Sequence, residues 1–139
     1  MRILGIDYGD SRIGVAMSDP FGWTAQAIET ISWKNDFGKP IERICQISKD
    51  NKVDRIIVGF PKNMNGTIGP RGEKTLEFID QLSEKIKDIE IIKWDERLTT
   101  VAANRTMHEL GIKTSKKKGV VDQIAAVYIL QGYLDSIAK

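Results

Sequence analysis

A chain of 139 residues, 41% hydrophobic and 29% charged, has the size and balance of one globular domain spanning 1–139, able to bury roughly two thirds of its unfolded surface. A net charge of +2 is too small to argue by itself for a polyanionic partner, and the single cysteine, Cys45, excludes an internal disulfide framework and fits a reducing cytoplasm. No apolar run approaches the ~18 residues of a membrane span and no basic-then-apolar leader precedes the first strand pattern, so no membrane partner is expected.

In chain order, residues 3–7 and 13–18 read as strands joined by a turn carrying Gly9 and Asp10, and residues 25–31 as a third strand. Ile41, Ile44, Cys45 and Ile47 fall at helical spacing over residues 40–51, with Pro40 suited to the first turn. Residues 53–58 form an apolar run of the buried-strand type, followed by a long glycine- and proline-bearing loop over 60–72. An amphipathic helix over 73–87 leads to the last strand, 89–94, which breaks at Asp95-Glu96-Arg97. Thr99 or Thr100 can cap a helix running to Leu110, where Gly111 stops it, and a final helix covers 120–137. Three strands in a meander, then strands reached through helical crossovers, predict a mixed five-stranded α/β sheet with helices on both faces.

Three acids lie where apolar elements end or begin: Asp7 at the end of the first strand, Glu96 just past the last, and Asp122 in the first turn of the final helix. If the two strands are neighbours, Asp7 and Glu96 emerge at one sheet edge, and Asp122 can face them from the helix above it. Three converging carboxylates without matching bases repel one another, so the cluster makes sense mainly as a divalent-cation site. Oxygen-only ligands favour Mg²⁺ or Mn²⁺, and a pair of such ions is the device of metal-assisted phosphodiester hydrolysis, which needs no His or Cys nucleophile. Each acid also has a plainer reading. Asp122 can be stabilised by the helix dipole, Asp7 can accept the turn amides of Gly9 and Asp10, and Glu96 can pair with Arg97 or Arg105.

Candidate phosphate contacts cluster nearby. The 60–72 loop carries Lys62, Asn63 and Arg71 among its glycines, and Lys116, Lys117 and Lys118 end two residues before the final helix. Between residues 97 and 118 six Lys and Arg side chains stand against a single acid, Glu109. His108 reads as a surface residue and Cys45 as inert packing. Trp23, Trp33 and Trp94 read as core or edge residues, with Trp23 in a turn where exposure and base stacking are open to it.

Four segments together resemble a known family. They are Gly5-Ile6-Asp7-Tyr8-Gly9 with Arg12-Ile13-Gly14-Val15-Ala16; Val58-Gly59-Phe60-Pro61-Lys62-Asn63-Met64-Asn65-Gly66; Asp95-Glu96-Arg97-Leu98-Thr99-Thr100; and Val121-Asp122-Gln123-Ile124-Ala125-Ala126. The chain is similar along its whole length to the YqgF (RuvX) family of RNase H-like proteins, described as Holliday junction resolvases or pre-16S rRNA nucleases. The resemblance implies an RNase H-like fold and a cytoplasmic nuclease with Asp7, Glu96 and Asp122 as metal-binding catalytic carboxylates. It also implies a role at the 5′ end of the small-subunit rRNA precursor during ribosome biogenesis. Asp7 is then expected to bridge two Mg²⁺ or Mn²⁺ ions, Glu96 to ligate one and Asp122 the other, with Arg12, Arg97 and Lys116, Lys117 and Lys118 on phosphates.

Ala125 departs from the wider resolvase pattern, which carries a fourth acid one helical turn after the last. Cleavage of four-way junctions is therefore less securely implied than metal-dependent cleavage of structured RNA or branched DNA. A non-catalytic RNA-binding ribosome-assembly factor stands as the competing class. Precursor ribosomal particles are implied partners, and the chain is expected as a monomer or homodimer.

Overall fold

β-branched and apolar runs become strands here, and the three in the middle of the sheet are buried on both faces, while the two edge strands stay largely exposed or half-buried. The computed structural model describes residues 2–9, 11–34, 36–60, 68–95 and 114–137, the side chains of 114–122 excepted. The elements are β1 (Arg2–Tyr8), β2 (Arg12–Ser18), β3 (Ala25–Ser32), α1 (Gly38–Asp50), β4 (Val53–Phe60), α2 (Pro70–Lys85), β5 (Glu90–Asp95) and α3 (Thr114–Ile137). The five strands lie in the order β3-β2-β1-β4-β5. β1–β2 and β2–β3 are antiparallel, and β1–β4 and β4–β5 are parallel. The expected meander followed by parallel crossovers is thus what forms.

Strand alternation sends side chains to two cores. Leu4, Ile6 and Tyr8 of β1 pack with Ile41, Ile44 and Ile47 of α1 and with Phe78, Ile79 and Leu82 of α2. On the other face Ile3, Ala16 and Ile57 meet Ala126, Ile129, Leu130, Tyr133 and Leu134 of α3. Arg43 ties α1 to the sheet through a two-pronged contact with Glu29 of β3, at 2.6 and 3.0 Å.

Gly5 sets how closely α3 lies. A Cβ at Gly5 would stand 2.6 Å from Leu130 Cβ and 3.0 Å from the Ala126 carbonyl oxygen, so the helix backbone rests directly on the strand. Two glutamines fix its lengthwise position. Gln131 Oε1 accepts the Ala25 amide at 3.0 Å, and Gln123 Nε2 donates to Thr30 Oγ1 at 3.0 Å. The helix therefore runs antiparallel to β1 and β3.

Several expected boundaries move. α3 starts at Thr114 rather than residue 120, so Lys116, Lys117 and Lys118 lie inside the helix and not in a loop before it. Lysine is a good helix former, and one interior glycine, Gly119, costs only about 1 kcal/mol in a helix held by tertiary packing. α2 begins at Pro70, a residue preorganised for the first turn, which draws Arg71 and Gly72 out of the expected 60–72 loop. β4 runs on through Phe60, which shortens that loop from its other end. The expected helix from Thr99 or Thr100 to Leu110, His108 included, lies outside the described residues.

Trp23 is not a core residue. It is 72% exposed and stacks on Phe21, itself 74% exposed, at 5.3 Å between ring centroids. The turn that presents them is built on Asp19. Its Oδ1 accepts the amides of Phe21 (2.8 Å) and Trp23 (3.1 Å), and its Oδ2 accepts the Thr24 amide (3.0 Å) and hydroxyl (2.7 Å). Gly22 takes the left-handed conformation, φ +75°, that the turn requires. The Thr24 hydroxyl bond first, then the Trp23 amide, holds the Asp19 carboxyl down to about 2.

Two outcomes follow from this packing. Gly5→Val forces β1 and α3 apart and lowers stability by about 1–3 kcal/mol in urea unfolding, with the loss on the α3 side of the sheet. For Asp19 the folded pKa lies below the unfolded one, so its contribution is present above about pH 4 and is lost as pH falls through about 2. The stability gap between wild type and Asp19→Asn, read as urea midpoints, closes over that window.

Candidate active site

Asp7 is the penultimate residue of β1, 5% exposed, and pairs across the hairpin with Gly14. By alternation it shares the α3 side of the sheet with Ile3 and Gly5. A carboxylate so buried is costly unless donors or cations meet it. The hairpin beyond it is tight: a Cβ at Gly9 would collide with the Arg12 carbonyl oxygen. Arg12, first residue of β2, alternates onto the same side as Gly14 and Asp7.

α3 brings its N-terminal half to this edge. Thr30 of β3 pairs with Gly14, and Gly14 with Asp7, so the Gln123–Thr30 hydrogen bond marks the level of Asp7 along the sheet. The same register follows from Gly5. Asp7 lies two residues beyond it, about 6.6 Å along a strand. Asp122 lies four residues before Ala126 on the same helix face, about 6 Å along a helix. The backbone at Asp122 and the strand at Asp7 thus advance together toward one edge.

The other strands converge there. Phe60 at the end of β4 pairs with Asp95 at the end of β5. β1 and β5 are not neighbours, because β4 lies between them, which separates their axes by about 10 Å. Being parallel, all three still end at the same edge. Glu96 follows Asp95 directly; its placement lies outside the described residues, as do those of Lys62, Asn63 and Arg97. Lys116, Lys117 and Lys118 lie in the first two turns of α3, on the side of the molecule to which β1 points; their side chains and that of Asp122 lie outside the described set.

Arg71 is placed at the edge by the early start of α2. Its Nη2 donates to the Tyr8 carbonyl at 3.1 Å, one residue past Asp7, while the residue remains exposed. The five-donor guanidinium suits an anion held beside that bond. Cys45 lies away from this edge, packed against the α1–α2 core, and burial pushes its thiol up, as expected of a packing residue.

Two positioning roles are absent from the sequence reading, although Gly5 and Gln123 both stand in the motifs quoted there. Gly5 is one, although a glycine inside an apolar strand signals close backbone approach. The Gln123–Thr30 contact is the other, and it spans 93 residues with no local signal to announce it.

Comparison with known proteins agrees with this architecture. The chain is 72% identical over 139 residues to an Acetivibrio thermocellus protein provisionally named pre-16S rRNA nuclease, covering 100% of this chain and 99% of that one. A Ruminiclostridium cellulolyticum protein of the same name is 62% identical over 138 residues, covering 99% and 96%. Among solved structures, Thermus thermophilus RuvC bound to a Holliday junction substrate superimposes with a TM-score of 0.60 at 13% identity, covering 98% of this chain and 95% of that one. The fowlpox virus Holliday junction resolvase does so with a TM-score of 0.54 at 18% identity, covering 99% and 100%. At those identities the likeness establishes the RNase H-like fold alone. The RuvX family model, described as Holliday junction resolvase, matches residues 1–136, and the chain belongs to that family.

Proposed function

We propose that this protein is a divalent-metal-dependent nuclease that hydrolyses phosphodiester bonds in structured nucleic acid, with the 5′ end of precursor 16S rRNA as its substrate. The observation that carries the reading is the buried Asp7 carboxylate at the shared end of three parallel strands, level with the Asp122 turn of α3. The names of the 72% and 62% identical relatives support the substrate.

The donor set fits a hard cation: Asp7 offers carboxylate oxygens, and Glu96 and Asp122 are the further oxygen donors the sequence supplies. Mg²⁺ or Mn²⁺ bound there, as a pair, supplies an activated water and stabilises the leaving oxygen. The chain's own residues do the rest. Asp7 is held rigid by β1 pairing on both sides and orients the centre. Arg12 and Arg71 flank it from the hairpin and from α2. Lys62, Asn63 and Arg97 complete the phosphate contacts with Lys116, Lys117 and Lys118, which now sit at the positive end of the α3 dipole.

Such contacts grip backbone without reading sequence, so selectivity rests on RNA shape or on the precursor particle. Ala125, where the wider resolvase pattern has a fourth acid, is 1% exposed. A methyl group there leaves the fourth ligand to water or substrate oxygen and disfavours junction resolution as the main activity. The protein acts in the cytoplasm, and among the described residues no helix is long and apolar enough to cross a membrane.

The test is cleavage of an end-labelled precursor rRNA leader beside a four-way DNA junction, in Mn²⁺ or EDTA, by wild type and Asp7→Asn. Wild type cleaves the leader only with metal. Asp7→Asn keeps its circular dichroism spectrum and loses about 10²–10³-fold or more in rate. Preferred junction cleavage would move the substrate to branched DNA. Binding without cleavage, unchanged in the variant, would make the chain a non-catalytic assembly factor.

A further inference from the structure

On the opposite side of the sheet from Asp7, a cavity of about 400 Å³ opens at the same edge. That size lies within the range of small-ligand pockets, roughly 300–1,000 Å³. Its floor is aromatic. Tyr8, 1% exposed, meets Trp33 at 5.9 Å and Phe37 at 6.0 Å between ring centroids, and Trp33 meets Phe37 at 5.1 Å. Trp33 and Phe37 remain half-buried, which leaves ring surface for an incoming planar group. The rim carries the exposed side chains of Asp36, Lys74 and Glu77.

This pocket is wired to the candidate active site. Tyr8 follows Asp7 in β1, about 3.8 Å away between Cα atoms. Trp33 Nε1 donates to the Gly9 carbonyl at 3.0 Å, so the indole is fixed to the turn that closes the Asp7 hairpin. Arg71, on the Tyr8 carbonyl, lies one turn of α2 before Lys74. The rim holds two carboxylates against one ammonium, so a phosphate is disfavoured inside, whereas a neutral ring with hydrogen-bond donors on its edge is suited. The cation for a phosphate lies just outside, at Arg71.

We infer that the Tyr8–Trp33–Phe37 pocket captures one unstacked nucleobase of the bound strand while Arg71 holds an adjoining phosphate. The inference rests on the nuclease reading and sharpens its substrate: the strand carries an unpaired nucleotide close to the bond cleaved, as at a single-stranded leader or an open junction, and not within continuous duplex. Stacking accounts for affinity, and the Asp36 and Glu77 carboxylates favour bases with exocyclic amino donors.

The probe is a short single-stranded RNA in which one abasic site is moved along the chain position by position, bound to the full protein in EDTA so that nothing is cleaved. Wild type loses roughly tenfold in affinity at one position. In Trp33→Leu the intact and abasic oligonucleotides bind alike. Because Trp33→Leu can perturb the aromatic packing, Glu77→Arg at the exposed rim serves as the second variant. Its long side chain fills the pocket mouth, and it too abolishes the ratio between intact and abasic strands. Insensitivity of wild type at every position, or a sensitive position that stays equally sensitive in both variants, overturns the inference. Cleavage in Mn²⁺ is read separately. Base-sensitive binding without cleavage leaves the pocket standing and defeats the nuclease reading, and cleavage with base-insensitive binding does the reverse.

Discussion

The contact of α3 with Gly5 is the constraint from which the rest of the site follows. A strand residue with any side chain would hold the helix off by the width of that group. Glycine lets Ala126 and Leu130 lie on the β1 backbone itself. Small residues extend the close seam: Ala16 on β2, Ala126 on α3, and Gly132, where a Cβ would come within 3.4 Å of Trp94 Nε1 on β5. With the helix seated this tightly, its lengthwise position has little freedom, and Gln123 and Gln131 pin its middle turns to β3 and the strand-preceding turn. Catalytic chemistry that needs two carboxylates within one cation's reach needs this kind of fixed register.

The second requirement is electrostatic. Asp7 follows Ile3, Leu4 and Ile6 in β1, all fully buried, so its carboxylate is tolerated only where cations and donors gather. The fold gathers them by ending β1, β4 and β5 at one edge and starting α2 and α3 beside it. Arg71 belongs to this edge through its hydrogen bond to the Tyr8 carbonyl, which leaves the rest of an exposed guanidinium facing outward on the proposed phosphate path. Beneath the edge, Tyr8 packs on Phe78 at 5.2 Å and Phe37 on Phe78 at 5.6 Å. That aromatic layer stiffens the strand end on the side away from Asp7.

Much of this was legible in residue patterns, and what was not has physical reasons. The strands announced themselves through β-branched runs, and the meander-then-crossover order dictated which pairs are parallel. Asp7 stood out because an acid ends an apolar strand before a glycine turn. Strand adjacency was not legible: only tertiary packing puts β4 between β1 and β5. Both helices start earlier than their apolar periodicity shows, because Pro70 suits a first turn and lysines 116–118 are good helix formers that carry no apolar spacing to announce it. For Trp23 the sequence leaves core, edge and exposed turn open, and it is the turn organised by Asp19 that displays it. Gly5 was visible as a letter and silent as a contact, since its meaning lies in a helix more than 120 residues away.

The central claim is that Asp7 and Asp122 serve one cation. Calorimetric titration of Mn²⁺ into wild type, Asp7→Asn and Asp122→Asn tests it without substrate or turnover. The account predicts that each substitution alone weakens Mn²⁺ binding by tenfold or more, roughly the scale of losing one charged ligand interaction, with the fold retained. Unchanged Mn²⁺ affinity in Asp122→Asn would separate the helix from the strand edge and contradict it.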